Sequence, residues 1–289
     1  MPDPARAEHT VSFITGAASG IGLGIAEEFA ASGMSVILTD SREDVLPAAV
    51  DRVRGHAQGG QIASYALDVA DRQSFRAVVD RAERDVGPIE ILVNNAGVGY
   101  TRTRLHEIPD ADLDWVVGVN LMGVLNGIRA VVPRMVARGR GHVSNMSSMS
   151  GLALPPGIRH GLYGATKAAV IMLSEGLRED LEGTGVGVSV VCPGFIRTNL
   201  PWSGRYRGAA YGGPVERPVS ESVLAAMQRG LEPRAVGRML AIAIDRQEFF
   251  VLTDLAEAGD VRCWHARIEA AMTKLAAADP AQGPGPSPA

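Results

Sequence analysis

Val11-Ser12-Phe13-Ile14-Thr15-Gly16-Ala17-Ala18-Ser19-Gly20-Ile21-Gly22 decides the fold of this chain. The first five residues read as a short apolar strand. Glycines at 16, 20 and 22 then break it, and a helical apolar pattern over 21–32 begins at once. Such a turn lets the backbone come close to a pyrophosphate, while the following helix supplies free amides and its positive dipole end. A tight turn alone would give the same glycines. The strand before and the helix after are the context that a dinucleotide site requires.

The alternation continues outward. Further strands are expected at 35–40, 62–69, 91–95, 141–147, 186–192 and 249–252, with helices near 21–32, 42–54, 72–86, 112–137, 162–181 and 233–246. Val/Ile/Leu-rich strands separated by helices point to a parallel sheet covered on both faces. Right-handed crossovers make it doubly wound. The expected fold class is therefore α/β, a Rossmann-type sheet of about seven strands in a single domain. Residues 1–9 are read as a flexible N-terminus, 10–276 as the domain, about 199–230 within it as a substrate loop or lid, and 277–289 as a disordered tail.

Composition narrows the function classes. A hydrophobic content of 46% suits a substantial core, and a net charge of -4 gives no reason to expect a nucleic-acid or anionic membrane partner. Cys192 and Cys263 lack zinc-ligand spacing, so no metal is expected and Cys192 is read as a small core residue. Residues 1–9 carry no apolar signal core and no apolar run approaches about 18 residues. A soluble, cytoplasmic protein is the expectation.

The second strand ends at Asp40. An acid there, about 20 residues beyond the glycine turn, accepts hydrogen bonds from both adenosine ribose hydroxyls and repels a 2′-phosphate. Position 19 is serine rather than a basic residue, so NAD is favoured and NADP is the less favoured cofactor, with Arg42 the residue that could counter Asp40.

Only two lysines occur in 289 residues, and Lys167 follows Tyr163 by four. Residues four apart share one helix face. An ammonium beside a phenol favours the phenolate and lowers its pKa toward the range useful for proton transfer. Taken alone, the pair also fits the polar face of an amphipathic helix.

Thr15–Gly22, Asn94-Asn95-Ala96-Gly97, Asn120, Ser147-Ser148, Tyr163-x-x-x-Lys167 and Pro193-Gly194 occur in the order of the short-chain dehydrogenase/reductase superfamily, which the chain resembles from about residue 11 to 198 and more loosely to about 270. The resemblance implies catalytic Ser148, Tyr163, Lys167 and Asn120. Tyr163 would be the general acid/base, Ser148 would hold the substrate oxygen, Lys167 would tune the phenol and reach the nicotinamide ribose, and Asn120 would anchor a water leading to Lys167. It also implies a cofactor site in which Gly16, Ala17, Ser19, Gly20, Ile21 and Gly22 border the pyrophosphate. Asp68 and Val69 would meet the adenine, and Asn95 a ribose. Gly97, Pro193 and Gly194 belong to the same motifs, and Ile196 and Thr198 would face the nicotinamide carboxamide. The Ser-Ser-x-x-Gly pattern ending at Gly151 selects Ser148 over Ser147 and Ser150. Residues 154–161 run about two longer than the family pattern and are expected as a surface loop, with His160 a solvated loop histidine and Asn94 a backbone-bridging residue. No function is assigned to Ser144.

Trp202 and Tyr206 are the substrate-contact candidates, with Tyr211 beside them; each could equally pin the loop to the body. Segments 114–135 and 205–213 are similar to bacterial dehydrogenases of benzylic secondary alcohols in lignin-type aryl ethers. The expected activity is an NAD-dependent alcohol dehydrogenase or carbonyl reductase acting on a bulky, hydrophobic or aromatic secondary alcohol or ketone. The alternatives are an NADP-dependent ketone reductase, a non-catalytic dinucleotide-binding regulator, and an epimerase or dehydratase on a related scaffold. Apolar residues on more than one face of helices 112–137 and 162–181 point to a homodimer or homotetramer.

Overall fold

The computed structural model describes residues 10–100, 103–155, 157 and 159–278. The proposed flexible N-terminus, 1–9, lies outside the described residues, as do 279–289 of the proposed tail; Ala277 and Ala278 belong to the last helix.

Seven strands, all parallel, form one sheet: β1 Val11–Thr15, β2 Ser35–Asp40, β3 Ile62–Ala66, β4 Ile89–Asn94, β5 Gly141–Met146, β6 Val186–Cys192 and β7 Phe250–Leu252. Their spatial order is β3-β2-β1-β4-β5-β6-β7. The chain therefore winds outward one way from β1 and then the other way from β4. The carboxyl ends of β1 and β4 flank the crevice where that reversal occurs, and ligands of open α/β sheets bind there. Every residue of β1 is buried, as expected for a strand covered on both faces.

Helices cover the sheet as α1 Gly20–Ala31, α2 Leu46–Arg54, α3 Arg72–Asp85, α4 Asp110–Val117, α5 Gly123–Arg138, α6 Met149–Leu152, α7 Gly161–Asp180, α8 Glu221–Arg229, α9 Pro233–Arg246 and α10 Ala258–Ala278. One core layer centres on Phe29, Val36, Leu38 and Leu240, under α1, α2 and α9. The other centres on Phe13, Phe75, Leu92 and Met135, under α3, α5 and α7. Helices α1 and α9 touch backbone to backbone. A Cβ on Gly24 would meet the Pro233 carbonyl and Arg234 N, and one on Gly237 would lie 2.9 Å from the Gly24 oxygen.

Four expectations are corrected. The single helix at 112–137 starts earlier and contains a π-helical turn, Gly118–Met122, between α4 and α5. Such a wide turn re-aims one side chain, here Asn120. The 42–54 helix begins instead as a 3₁₀ turn, Glu43–Val45. Helices α8 and α10 were not anticipated; α10 has no buried residue, and its apolar residues Trp264, Ile268, Met272 and Leu275 are exposed. The continuous segment Asp110–Arg138 is long and apolar enough to cross a membrane by composition, with a mean hydropathy of 1.5 over 18 residues, contrary to the expectation of no such run. Just over half of that window (56%) is buried within the fold.

Candidate active site

The glycine turn is shaped by backbone demands. Gly16 and Gly20 adopt φ of 63° and 56°, a region costly for side-chain-bearing residues. A Cβ on Gly16 would lie 2.9 Å from Ala96 Cα. Ser19 is the N-cap of α1 but makes no side-chain cap bond, leaving the first amides of that helix open to a ligand. Gly16, Ser19, Gly20 and Ile21 line a cleft of about 1440 Å³. Ala17 and Gly22 do not. Ala17 is packed in the core with its amide on the Thr39 carbonyl, and Gly22 sits beneath the turn against Gly16 O and Asn95 Nδ2.

Asn95 lines the cleft but braces the turn as well. Its Nδ2 donates to the carbonyls of Thr15 (2.8 Å) and Gly16 (3.1 Å), while Thr15 Oγ1 accepts from the amides of Asn95 and Ala96. Asn94 joins strands through its side chain, donating to Asn145 Oδ1, rather than through the backbone as expected. Asp68, Val69 and Gly97 lie along the next part of the wall, and Pro193, Gly194, Ile196 and Thr198 form the side facing it.

Asp40 lies beside the glycine turn, buried, but not as a free acceptor. Arg42 grips it with Nε at 2.9 Å from Oδ1 and an Nη2 at 3.1 Å from Oδ2, and also donates to Ser19 Oγ at 3.0 Å. The Arg42 guanidinium also stacks 4.4 Å over the Tyr206 ring. Its pKa is raised above the usual value, chiefly by the hydrogen bond to Asp40. Spacing alone could not reveal this pairing, because Arg42 folds back two residues onto its own neighbour.

At the other end, α7 carries Tyr163 and Lys167 on its buried face. Ser148 is the N-cap of α6, with Oγ accepting from Ser150 N, and it lines the cleft beside Tyr163. Ser147 is committed elsewhere, donating to the Lys167 carbonyl at 2.7 Å. Lys167 Nζ donates to the Met146 carbonyl at 2.8 Å and lies 5.8 Å from the Tyr163 ring centre. Burial pushes the phenol up to about 12, against a smaller opposing influence of Ser148, and lowers the ammonium to about 8. The expected depression of the phenol by Lys167 is therefore absent from this state. Desolvation penalises both charged forms, and the ammonium points at a backbone carbonyl.

Asn120 is fully buried, and its amide clasps the segment after β4. Oδ1 accepts from Val98 N at 2.8 Å and Nδ2 donates to Val98 O at 3.0 Å, with Thr166 Oγ1 at 3.3 Å. This clasp holds the loop between Gly97 and Gly99 over the cleft.

Residues 10–205 match the family described as short chain dehydrogenase. The chain belongs to that family. It is 35% identical over 246 residues to the C alpha-dehydrogenase of Sphingobium sp. strain SYK-6, covering 84% of this chain and 79% of that protein. Among solved structures, a short chain dehydrogenase/reductase from Burkholderia phymatum in complex with NAD is 36% identical, with a TM-score of 0.80, covering 90% of this chain and 94% of its own. A short-chain dehydrogenase from Sphingobium yanoikuyae in complex with NADPH is 28% identical, with a TM-score of 0.70 and coverage of 96% and 99%. Oxidoreduction is thus the class of this chain, and these two solved relatives are in complex with NAD and with NADPH.

In this family member the segment after β6 lines the cleft. Trp202 and Tyr206 line it within the 3₁₀ stretch Leu200–Tyr206, and Tyr211 packs with Trp115 and Val116. Tyr206 reaches the Arg42–Asp40 pair, so it ties this lid to the nucleotide end. A second tie was not read from the sequence. Asp112 is buried and pairs with both Arg207 and Arg217, the latter at 2.6 Å, while Tyr100 Oη donates to it at 3.1 Å. Arginines are frequent throughout this chain, so no local signal separated these two.

His160 is corrected too. It is the N-cap residue of α7, half-buried, with its ring stacked on Tyr163 at 6.0 Å, not a solvated loop histidine. His142 is buried against Ser189 Oγ at 2.9 Å, and its pKa falls to about 4 from burial. Ser144 is buried with no partner for its hydroxyl among the described residues, and nothing in the structure explains it.

Proposed function

We propose that this chain is an NAD-dependent oxidoreductase that interconverts a bulky, apolar secondary alcohol and its ketone, with Tyr163 as the proton-transfer group. The observation that carries this reading is that Ser148, Tyr163 and Lys167 converge on one end of a cleft whose other end is the glycine turn. Bound there, a nicotinamide would supply or accept the hydride. Gly16, Ser19, Gly20 and Ile21 fit its pyrophosphate, because a Cβ at Gly16 would fill the backbone approach and the α1 amides carry no side-chain cap.

The chain's own groups then have defined tasks. Ser148 and Tyr163 both donate to the substrate oxygen, which fixes the carbonyl and stabilises the negative charge that develops there. A phenol held neutral is a ready donor, so Tyr163 gives its proton to that oxygen during reduction and takes it back during oxidation. Lys167, lowered to about 8, keeps a labile proton in the same enclosed site. The lid and its Asp112 anchor exclude water. Substrate bulk is read from the cleft volume and from walls formed by Leu200, Trp202, Tyr211 and Met227. A benzylic alcohol suits these walls, in keeping with the similarity to a C alpha-dehydrogenase.

A second reading concerns the cofactor. Arg42 neutralises Asp40 and already reaches Ser19, so it stands ready to meet a 2′-phosphate, and NADP is the alternative. A non-catalytic regulator is disfavoured because Tyr163 and Lys167 are both retained. A cytoplasmic location goes with this activity, since the cofactor pool is there.

The test is to follow reduced-nicotinamide absorbance with benzylic and aliphatic secondary alcohols, supplying NAD or NADP in parallel. NAD-dependent turnover that favours the bulkier alcohols is the expected result. Cofactor binding without turnover of any alcohol or ketone would overturn the proposal.

A further inference from the structure

Beyond the reacting oxygen site, the same cleft holds two polar atoms with nothing to bond. Glu257, in the segment just before α10, lines the cleft, and its Oε2 is shielded from solvent without a hydrogen-bond partner among the described residues. His160 lines the cleft as well, and its Nε2 is equally shielded and equally alone. Both flank the catalytic phenol. The His160 ring stacks on Tyr163, and Glu257 is close enough that its charge disfavours the Tyr163 phenolate. Just past Glu257, Val261 packs against the cluster of Met149, Ile171, Val190 and Cys192, which anchors this segment near α6.

Neither atom belongs to the structural frame. The neighbouring acids Asp254 and Asp260 offer no donor, and Asp254 is engaged with Ala256 N. Buried polar atoms are ordinarily paired, so two unpaired ones on residues that line a ligand cleft mark a place a ligand can complete. The chemistry of the missing partner can be read from the two atoms. Glu257 is raised to about 7 by burial first and by Asp254 and Asp260 next, so it holds a proton readily and can donate or accept. His160 is lowered by burial, so its imidazole is neutral. Two such groups suit an uncharged hydroxyl or phenol, which both donates and accepts. They do not suit a carboxylate or a phosphate, which Glu257 and its acidic neighbours would repel.

We propose that Glu257 and His160 form a second polar subsite that selects substrates carrying an additional hydroxyl or phenol beyond the carbinol that reacts. This deepens the alcohol/ketone reading above and rests on it. Glu257 is a positioning residue here: it touches the substrate away from the reacting atoms and takes no part in hydride or proton transfer.

The test uses two probes, 1-phenylpropan-1-ol and 1-phenylpropane-1,3-diol, and reads the ratio of their kcat/KM values. The same comparison is made by calorimetry of the two ketone forms binding to the enzyme–cofactor complex. Wild type is expected to prefer the hydroxylated probe by about tenfold or more, mainly through KM, because a site built for a hydroxyl is left unpaired by its analogue. Glu257→Ala should bring the ratio near one, and Glu257→Gln, which keeps a donor and an acceptor, should restore most of it. A purely structural role for Glu257 would lower both efficiencies alike and leave the ratio unmoved, and that result overturns the subsite. So would a wild type that binds both ketones equally, or a Glu257→Ala effect confined to the KM of the cofactor. Failure of wild type to turn over either probe while still preferring the hydroxylated ketone in binding would count against the reaction but support the subsite.

Discussion

Tyr163 is held as a neutral phenol by burial, so the two directions of the proposed reaction should respond differently to pH. Its folded pKa lies above the ordinary value, so the phenolate that oxidation needs becomes more populated as pH rises, up to about tenfold per unit. Alcohol oxidation measured by initial rates should climb through neutrality into the alkaline range, while ketone reduction stays level. An oxidation profile that is flat or falling across that range would exclude Tyr163 as the base. Lys167 has the opposite sign. Its folded pKa of about 8 lies below the usual 10.5, so carrying the buried charge costs stability below about 8, and this cost is relieved as pH rises toward 10.5. Lys167→Met should therefore raise the melting temperature of the cofactor-free protein by a few degrees (about 2–4) at neutral pH while abolishing turnover. An unchanged or lowered melting temperature would mean that the Met146 bond outweighs desolvation. Asp40→Ala should loosen NAD and leave Arg42 unopposed, moving the ratio of efficiencies toward NADP by about tenfold or more. An unchanged ratio would place selectivity elsewhere.

Among the elements, the sheet was readable because each strand is an apolar run bounded by turn residues, and β1, β2 and β6 fall where those runs begin and end. The π turn was not readable. It arises because the Asn120 amide reaches the Val98 backbone, a contact between segments that no local pattern encodes. The lid shows the same limit. Its aromatic residues stand out in the sequence, but its anchor, Asp112, looks like any acid in a first helical turn. Asp112→Ala would leave Arg207 and Arg217 without their counter-charge, so the lid should open. We expect a roughly tenfold rise in KM and faster tryptic cleavage at Arg205 or Arg207, since removing one partner of a buried pair strands the other. A wild-type cleavage rate would refute that anchoring. Helices α1 and α9 make a separate prediction. Gly24→Ala forces their backbones apart and should cost about 1–3 kcal/mol in denaturant unfolding, with little effect on cofactor affinity.

For the whole molecule, the apolar surface bears on assembly. Of the apolar residues in the 112–137 and 162–181 stretches that suggested a second partner, Val116, Val124, Val170, Ile171 and Leu177, among others, are buried inside the chain itself. Val119, Leu121, Ile128, Ala168 and Leu173 stay half-buried, and Met172 and Leu113 are exposed on the same helices. We propose that these faces pair between copies into a homodimer or homotetramer, a self-complementary contact that two-fold symmetry allows. Light scattering should give a mass of two or four chains; the mass of a single chain at working concentration would refute it. The central claim, that Tyr163 moves the proton while the rest of the cleft holds the cofactor, is tested most directly by Tyr163→Phe. Cofactor binding, followed by nicotinamide fluorescence, should stay within a few-fold of wild type, while single-turnover hydride transfer falls by about three powers of ten or more. Near-normal transfer in a variant that binds cofactor normally would contradict the account.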